Sequence, residues 1–489
     1  MTGWDDLVAT AMLGTARRPA PVDTLPGPIR EHLDPTGDPA HDLLAAAALL
    51  GGYRKAGTRA VTDSTPVPAA EPDPRPVVRD AAATRLGRIL NGDHADLLGE
   101  WLTAAAAAGY RPPPEHLPAL ADAARAKSAL RPLVAAAAGT EAAWLGAIRP
   151  DWAFLGTHAT TDTDDAWRFG SPAQRRAWLA GALRTEPEAA RKALQETWSA
   201  EPAESRVDLL EVLGAALKPE DAAFLERALD DRAQDVRRLA GELLSCLPGS
   251  ELGRRMAERM AALVSVRRRS LGRRGVLVFE LPTECDDAMK RDGIVASPPK
   301  GTGQRAWWLR QLLAATPLSF WDQYADSPAD LLRMPFTGAD GDTDDAVVLA
   351  GLAGAAARQH DPAWARALLE ADPAGPHVAD LVAVLPTDEW TAIISGIATR
   401  VTAAQFAELT VSLPRPWPVS LGKVVLDWLD GRPNERAVAW AAGVAARAVP
   451  KECLDHPMIT REGQPAAAPW RVQLVQTLLF RRRLHEELS

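Results

Sequence analysis

Cysteine is almost missing from this chain. The 489 residues hold three, Cys246, Cys285 and Cys453, far apart and with no CxxC pair. A disulfide framework and a cysteine-rich zinc site are therefore excluded as sources of stability. Lysine is scarce as well, eight of the 55 basic residues, the other 47 being arginine. Beside so much alanine, proline and glycine, that bias reads as GC-rich coding rather than selection for phosphate binding. No long apolar run is present: the longest, Leu43 to Leu50, is far short of the roughly 20 residues a membrane helix needs. The first residues, Met1-Thr-Gly-Trp-Asp-Asp, lack both a basic and an apolar signal region, so a cytoplasmic protein is expected. A net charge of −9 argues against a global nucleic-acid binder. The nine histidines form no HxxH or HExxH, and no Gly-x-Ser-x-Gly elbow occurs. No catalytic residue, metal ligand or cofactor is expected.

What the chain does hold is a periodic helical pattern. Arg176, Arg206 and Arg237 lie 30 and then 31 residues apart. Each precedes small or apolar residues three and four positions on, and a leucine at the seventh (Leu183, Leu213, Leu244). Those spacings share one helix face, and a repeat of 20–50 residues with such a face signals stacked helix pairs. The clearest unit is Phe224–Leu247. Its first helix carries Phe224, Leu225 and Leu229, a turn follows at Asp230-Asp231, and its second carries Val236, Ala240, Leu243 and Leu247 before Pro248-Gly249. The string Asp231-x4-Val236-Arg237-x2-Ala240-x2-Leu243-Leu244 resembles a HEAT repeat, in which such an Asp and Arg commonly tie neighbouring turns together. A larger duplication is suggested by Asp162-Thr-Asp-Asp-Ala166 against Asp342-Thr-Asp-Asp-Ala346, and by Pro187-x3-Arg191-x2-Leu194 against Pro362-x3-Arg366-x2-Leu369.

The expected organisation has five parts. Residues 1–60 form an N-terminal helical segment, in which Gly14 caps a helix bearing Trp4, Leu7, Val8 and Met12, and Gly51-Gly52 stops a second over Leu43–Leu50. Residues 61–78, with five prolines, form a linker or loop. Residues 79–264 are HEAT-like repeats, beginning with helices over Ala81–Leu90, Ala95–Ala108 and Leu117–Ala138. Residues 265–303 are a basic segment with a β-hairpin near 265–285, because Gly275-Val-Leu-Val-Phe-Glu-Leu-Pro282 is too short for a helix and rich in strand formers. Residues 304–489 are C-terminal helical repeats, ending in a helix that carries Trp470, Leu474 and Leu478. The basic run Arg481-Arg482-Arg483 suits the negative end of that helix. The fold class is all-α, a HEAT-like α-solenoid with a small β insertion.

One charge feature stands out. Arg254, Arg255, Arg259, Arg267, Arg268, Arg269, Arg273 and Arg274 are opposed only by Glu258 within their stretch. They form either an anion- or partner-binding patch or a solvated helix face and loop, the usual outcome for a charge run. No aromatic residue interleaves with them, which weakens the case for single-strand stacking. Gly301-Thr-Gly303-Gln-Arg-Ala306 fits G-x-G-x-x-A, but Ser297-Pro-Pro-Lys300 stands where a strand should precede it, so a helix-entry loop is expected. Asp340-Gly-Asp342-Thr-Asp344-Asp345 fails as a calcium loop, since Asp345 and Gly351 occupy the positions that need Gly and Glu. His158 and His360 read as surface or loop residues. Most of the sixteen tryptophans read as packing that fills space between alanine-rich layers, with a Trp-lined partner groove as the alternative.

Four strings carry a family resemblance: Trp4-x2-Leu-x4-Met-Leu-Gly-Thr-Ala-Arg17, Leu130-Arg-Pro-x6-Gly139-x4-Trp144-Leu-x4-Pro150-x-Trp152, Lys290-Arg-Asp-Gly-Ile294 and Arg305-Ala-Trp-Trp-Leu-Arg-Gln-Leu-Leu313. Together the chain resembles an uncharacterised bacterial domain-of-unknown-function family built of HEAT-like helices. The resemblance implies a gene neighbourhood with a SWIM zinc-finger protein, a MoxR-type AAA+ ATPase and a von Willebrand A-domain protein. It therefore implies a non-enzymatic adaptor or scaffold for such an ATPase. The alternative expectation is a nucleic-acid- or phosphate-binding HEAT protein that uses the Arg254–Arg274 cluster.

Overall fold

The computed structural model describes residues 2–56, 69–156, 164–267, 275–338, 345–432, 435–460 and 468–489. It is mainly helical with one small sheet. The chain divides into two compact units, Met1–Ala69 and Ala70–Ser489.

In the first unit the helices Thr2–Leu13 and Pro39–Ala56 pack together. Leu7, Leu25, Ile29, Leu33, Leu43, Ala46 and Leu50 form the core. Gly14 ends the first helix as expected, with φ +85° and its N–H donated to the Thr10 carbonyl at 2.9 Å. The second helix departs from expectation, because it runs through Gly51-Gly52 to Ala56. An interior glycine costs only about 1 kcal/mol, and the face of Leu43, Ala46 and Leu50 is held by the core. The outward side of the first helix keeps an apolar stripe, with Trp4 38%, Val8 42% and Met12 84% exposed.

In the second unit contacts pass from helix to next-but-one helix, except that two helices are skipped between Gln234–Ser245 and Gln304–Ala315. They run from Pro172–Thr185 through Ala203–Gly214, Gln234–Ser245, Gln304–Ala315, Asp345–Gln359, Val378–Val384, Ala403–Ser412 and Ala439–Ala448 to Pro469–Glu487. The last helix then packs on Asp80–Leu90, near the start of the unit. Its sequence accounts for this double role. Trp470, Leu474 and Leu478 enter the large core that begins at Trp167. Phe480, Leu484 and Leu488 join a second core with Val78, Leu86, Trp101 and Trp152. The second stripe repeats the first ten positions further along the helix, which shifts it to the next stretch of the rod and about 80° around it. Arg481, expected only to complement the helix dipole, is buried and ion-paired to Glu100 at 2.7 Å.

The arginine ladder ties neighbouring turns, as its regularity suggested. Arg176 meets Asp208 at 3.0 Å, buried Arg206 meets Asp231 at 2.9 Å, and Arg237 donates to the carbonyl oxygens of Asp231 and Arg232 at 2.7 and 3.0 Å. The matched pair of longer strings also lands on matched places. Arg191 pairs with Asp221 and Arg366 with Glu389, each on a helix with proline in its first turn. Of the Asp-rich strings, residues 162, 163 and 342–344 lie outside the described residues.

The helix expected over Leu117–Ala138 is two, Leu117–Ala126 and Arg131–Ile148. Pro132 explains the break, since proline fits the first turn of a helix but not its interior. The second of these is itself interrupted at Gly139, with φ +55° and ψ −130°. A Cβ there would lie 2.2 Å from Arg75 Nη2 and 2.4 Å from Asp73 Oδ2. Only glycine allows the 71–75 segment to cross at that point, where Thr140 and the Ala136 carbonyl bind it.

The hairpin appears as β1 (Val264–Arg267) antiparallel to β2 (Val276–Phe279), with Ser265 opposite Val278. A third strand, β3 (Phe336–Gly338), adds in parallel to β2, aligning Leu277 with Phe336. It was not expected: three residues are too few for a period-2 pattern to show. β2 is central and buried on both faces.

Candidate functional site

The structure separates the predicted arginine cluster. Arg254 lies on the exposed side of the helix Glu251–Leu263, held by Glu258 at 2.6 Å and Glu251 at 3.0 Å. Arg255 and Arg259 turn inward to Asp292, at 2.8 and 2.7 Å. Arg255 also meets Glu226 at 3.0 Å. Burial pulls the Arg255 guanidinium down, but Asp292 and Glu226 raise it above its ordinary value. Arg267 sits exposed on the edge strand β1, opposite Val276. Arg268, Arg269, Arg273 and Arg274 lie outside the described residues. Within the stretch only Glu258 opposes these arginines, but the fold brings Glu226 and Asp292 to them from elsewhere.

Asp292 is the centre of this arrangement. It is 3% exposed and takes a third guanidinium, from Arg291 at 3.2 Å. The turn that presents it lies close on the helix Gln234–Ser245. A Cβ on Gly293 (φ +88°) would stand 2.8 Å from the Arg237 carbonyl oxygen, and one on Gly241 would stand 2.8 Å from the Asp292 carbonyl oxygen. Glycine at both positions lets the two backbones touch.

Beside Asp292 opens a cavity of about 490 Å³. It runs along the row of next-but-one helices: Gln234–Ser245 supplies Arg238 and Glu242, Gln304–Ala315 supplies Trp307, Arg310 and Gln311, Asp345–Gln359 supplies Gly354 and Arg358, and Val378–Val384 supplies Asp380. His360 and His377 complete its polar lining. The 295–296 segment is pinned to the Gln304–Ala315 helix. Trp307 Nε1 and Gln311 Nε2 donate to the Val295 carbonyl at 2.8 and 3.1 Å, and Gln311 Oε1 accepts from the Val295 N–H at 2.9 Å. On the floor, small residues bring two helices together, so that a Cβ on Gly354 would lie 3.2 Å from the Ala314 Cβ.

The charges in the cavity are unequally paired. Glu242 accepts from Arg238 at 2.8 Å, Asp380 meets His377 at 3.1 Å, and Asp292 is held by its three arginines. Arg310 and Arg358 have no carboxylate partner among the described residues. Arg310 stacks on the Trp307 ring at 4.6 Å, and Arg358 reaches only Ser245 Oγ and the Ala314 carbonyl, each at 3.4 Å. Burial, with the neighbouring Arg358, pushes the Arg310 guanidinium below its ordinary value. Sequence reading did not single out this pair, because its members stand 48 positions apart on different helices. The only signal was indirect: two of the strings quoted for the family resemblance, Lys290–Ile294 and Arg305–Leu313, contribute lining residues.

His360, read as a loop residue, is exposed at a helix end with φ +51°. Gly301-Thr-Gly303 is a helix-entry loop, as expected, before Gln304–Ala315. The tryptophans are largely core: Trp101, Trp152, Trp167, Trp308, Trp321, Trp364, Trp390, Trp417, Trp428 and Trp470 are buried. Among the described residues no group of His, Cys, Asp and Glu could hold a metal ion, and no helix is long and apolar enough to cross a membrane. No curated protein and no solved structure matches the chain. The model of a family of unknown function, DUF5691, matches residues 6–488, and the chain belongs to that family.

Proposed function

We propose that the chain is a non-enzymatic, cytoplasmic interaction scaffold, a HEAT-like stack of helix pairs that serves a MoxR-type AAA+ ATPase and a von Willebrand A-domain protein. The next-but-one helix contacts support the stack, and stacked pairs present long surfaces to partners. One observation carries the interaction reading. Trp4, Val8 and Met12 follow one another at four-residue steps on the outward side of a helix, Leu13 at its end is 55% exposed, and Leu44 on the helix packed against it is 71% exposed. Large apolar side chains grouped on a surface mark protein contacts more often than those scattered singly.

The test is retention of purified AAA+ ATPase and von Willebrand A-domain protein from the native host on the tagged full chain. Wild type should retain at least one of them, and Val8→Glu with Met12→Glu should lose it without losing helical content. Failure of wild type to retain either partner would refute the reading. The alternative, nucleic-acid or phosphate binding through the arginine cluster, is weakened by the carboxylates already held by Arg254, Arg255 and Arg259. A salt-dependent DNA or RNA shift, abolished by charge reversal at Arg267–Arg269, would restore it.

A further inference from the structure

We infer that the cavity between the helices Gln234–Ser245, Gln304–Ala315, Asp345–Gln359 and Val378–Val384 binds a small organic anion. Its phosphate or carboxylate group would dock on Arg310 and Arg358, and its body would lie along Trp307 and the floor at Ala314 and Gly354. The inference is independent of the scaffold reading.

Two guanidiniums of like charge face one concave space, and among the described residues no carboxylate pairs with either. Of the acids that line the cavity, Glu242 is engaged by Arg238 and Asp292 by three other arginines, and Asp380 hydrogen-bonds His377 and stands largely exposed. Half-buried charges are costly unless paired, and guanidiniums are the side chains best shaped to take a planar carboxylate or a phosphate in two-point contact. The volume of about 490 Å³ lies in the range of small-molecule sites, which combine an apolar lining with a few converging polar groups. The remaining polar groups set the frame. Gln311 is occupied with Val295, which fixes the wall, and the indole N–H of Trp307 is also used there, while Arg310 lies over its ring at 4.6 Å. The histidines His360 and His377 also stand in the lining. Four elements converge on a bounded space, which suits a small molecule better than the extended backbone of a nucleic acid.

The experiment is calorimetric titration of the full chain at low ionic strength with inorganic pyrophosphate, phenyl phosphate, benzoate and citrate, with benzyl alcohol as the neutral control. At least one anion should bind saturably at one site, more weakly as salt is raised, and benzyl alcohol should not bind. Saturation by the phosphates alone or by the carboxylates alone identifies the acid group. Arg310→Met should weaken binding at least tenfold, and Arg358→Met similarly, whereas Arg254→Met on the exposed helix face should bind as wild type does. Arg310 donates no hydrogen bond among the described residues, so its variant loses only the contact with the Trp307 ring and is expected to fold, with a melting temperature close to that of wild type. The proposal is overturned if no anion saturates the wild-type chain, or if Arg310→Met, folded by circular dichroism, binds with unchanged affinity.

Discussion

An Asp292→Asn exchange keeps the shape of the side chain and removes its charge, and the three guanidiniums around it set the consequence. Arg255 retains Glu226 at 3.0 Å and Arg291 retains Asp230 at 2.6 Å. Arg259 retains no carboxylate among the described residues, and it is largely buried, with its side chain 21% exposed. A unit pair with charge centres about 4 Å apart is worth about 4 kcal/mol at an effective dielectric of 20, before desolvation is set against it. Breaking a buried pair from one side costs about 3–5 kcal/mol. With two of the three arginines still partnered, the lower end applies, so about 3 kcal/mol is expected. Arg259→Met should cost much less, about 1 kcal/mol, because it leaves Asp292 two guanidiniums and places an apolar chain in a half-buried position. The double variant should cost at least about 1 kcal/mol less than the sum of the two, since both remove the same contact. Urea unfolding followed by tryptophan fluorescence reads these differences as midpoint shifts at constant slope. If Asp292→Asn unfolds with wild-type, or if Arg259→Met proves the more damaging exchange, the view of Asp292 as the organising charge of this region is wrong.

Other outcomes follow from particular contacts. Burial alone would raise the Glu100 carboxyl, but hydrogen bonds from His485 and Arg481 hold it below its ordinary value of 4.5. A depressed folded value means the stabilisation is present above pH 4.5 and is lost as pH falls through the lowered value. Arg481→Met should therefore lower the melting temperature clearly at pH 7, by the equivalent of about 3 kcal/mol, and the gap to wild type should narrow below pH 4.5. Gly139→Ala should destabilise by at least about 2 kcal/mol, because it meets both a positive-φ backbone and the Arg75–Asp73 pair; a thermal melt within 1 °C of wild type would contradict this. Hydrogen bonding to Arg75 lowers Asp73 to about 2 from 3.8, so its contribution should persist above pH 3.8 and disappear as pH falls through about 2. Acid titration of Arg75→Met against wild type measures that contribution.

Helix identity was legible where a single period held over three turns. Val236, Ala240 and Leu244 lie on one face of Gln234–Ser245 and are all buried. The period of 30–31 residues also placed Arg176 and Arg206 at equivalent points of successive helix pairs, and each bonds to a neighbouring turn. Boundaries were harder to read, because the competing effects at Gly51-Gly52 and Pro132 are each of order 1–3 kcal/mol. At Gly51 a packed face decided in favour of the helix, and at Pro132 a missing donor and a steric clash decided against it. Neither outcome can be weighed without knowing what the preceding turn packs against.

The cavity was illegible for a different reason. A charge run such as 254–274 is visible because its members are neighbours in sequence, yet neighbours on a helix point in different directions. Arg254 faces outward while Arg255 and Arg259 turn to Asp292, so adjacency in the chain separated three residues that looked alike. Arg310 and Arg358 look ordinary in sequence and become distinctive only when next-but-one helices meet and no nearby acid pairs with either. An unpaired charge is a property of a full set of neighbours, and those neighbours come from four helices between Gln234 and Val384. The last helix is a second case. Its second stripe, Phe480, Leu484 and Leu488, looks superfluous on a helix already carrying Trp470, Leu474 and Leu478. The two stripes occupy successive stretches of one helix and enter different cores, and the partner of the second is the segment around Asp80–Leu90, some 400 residues earlier.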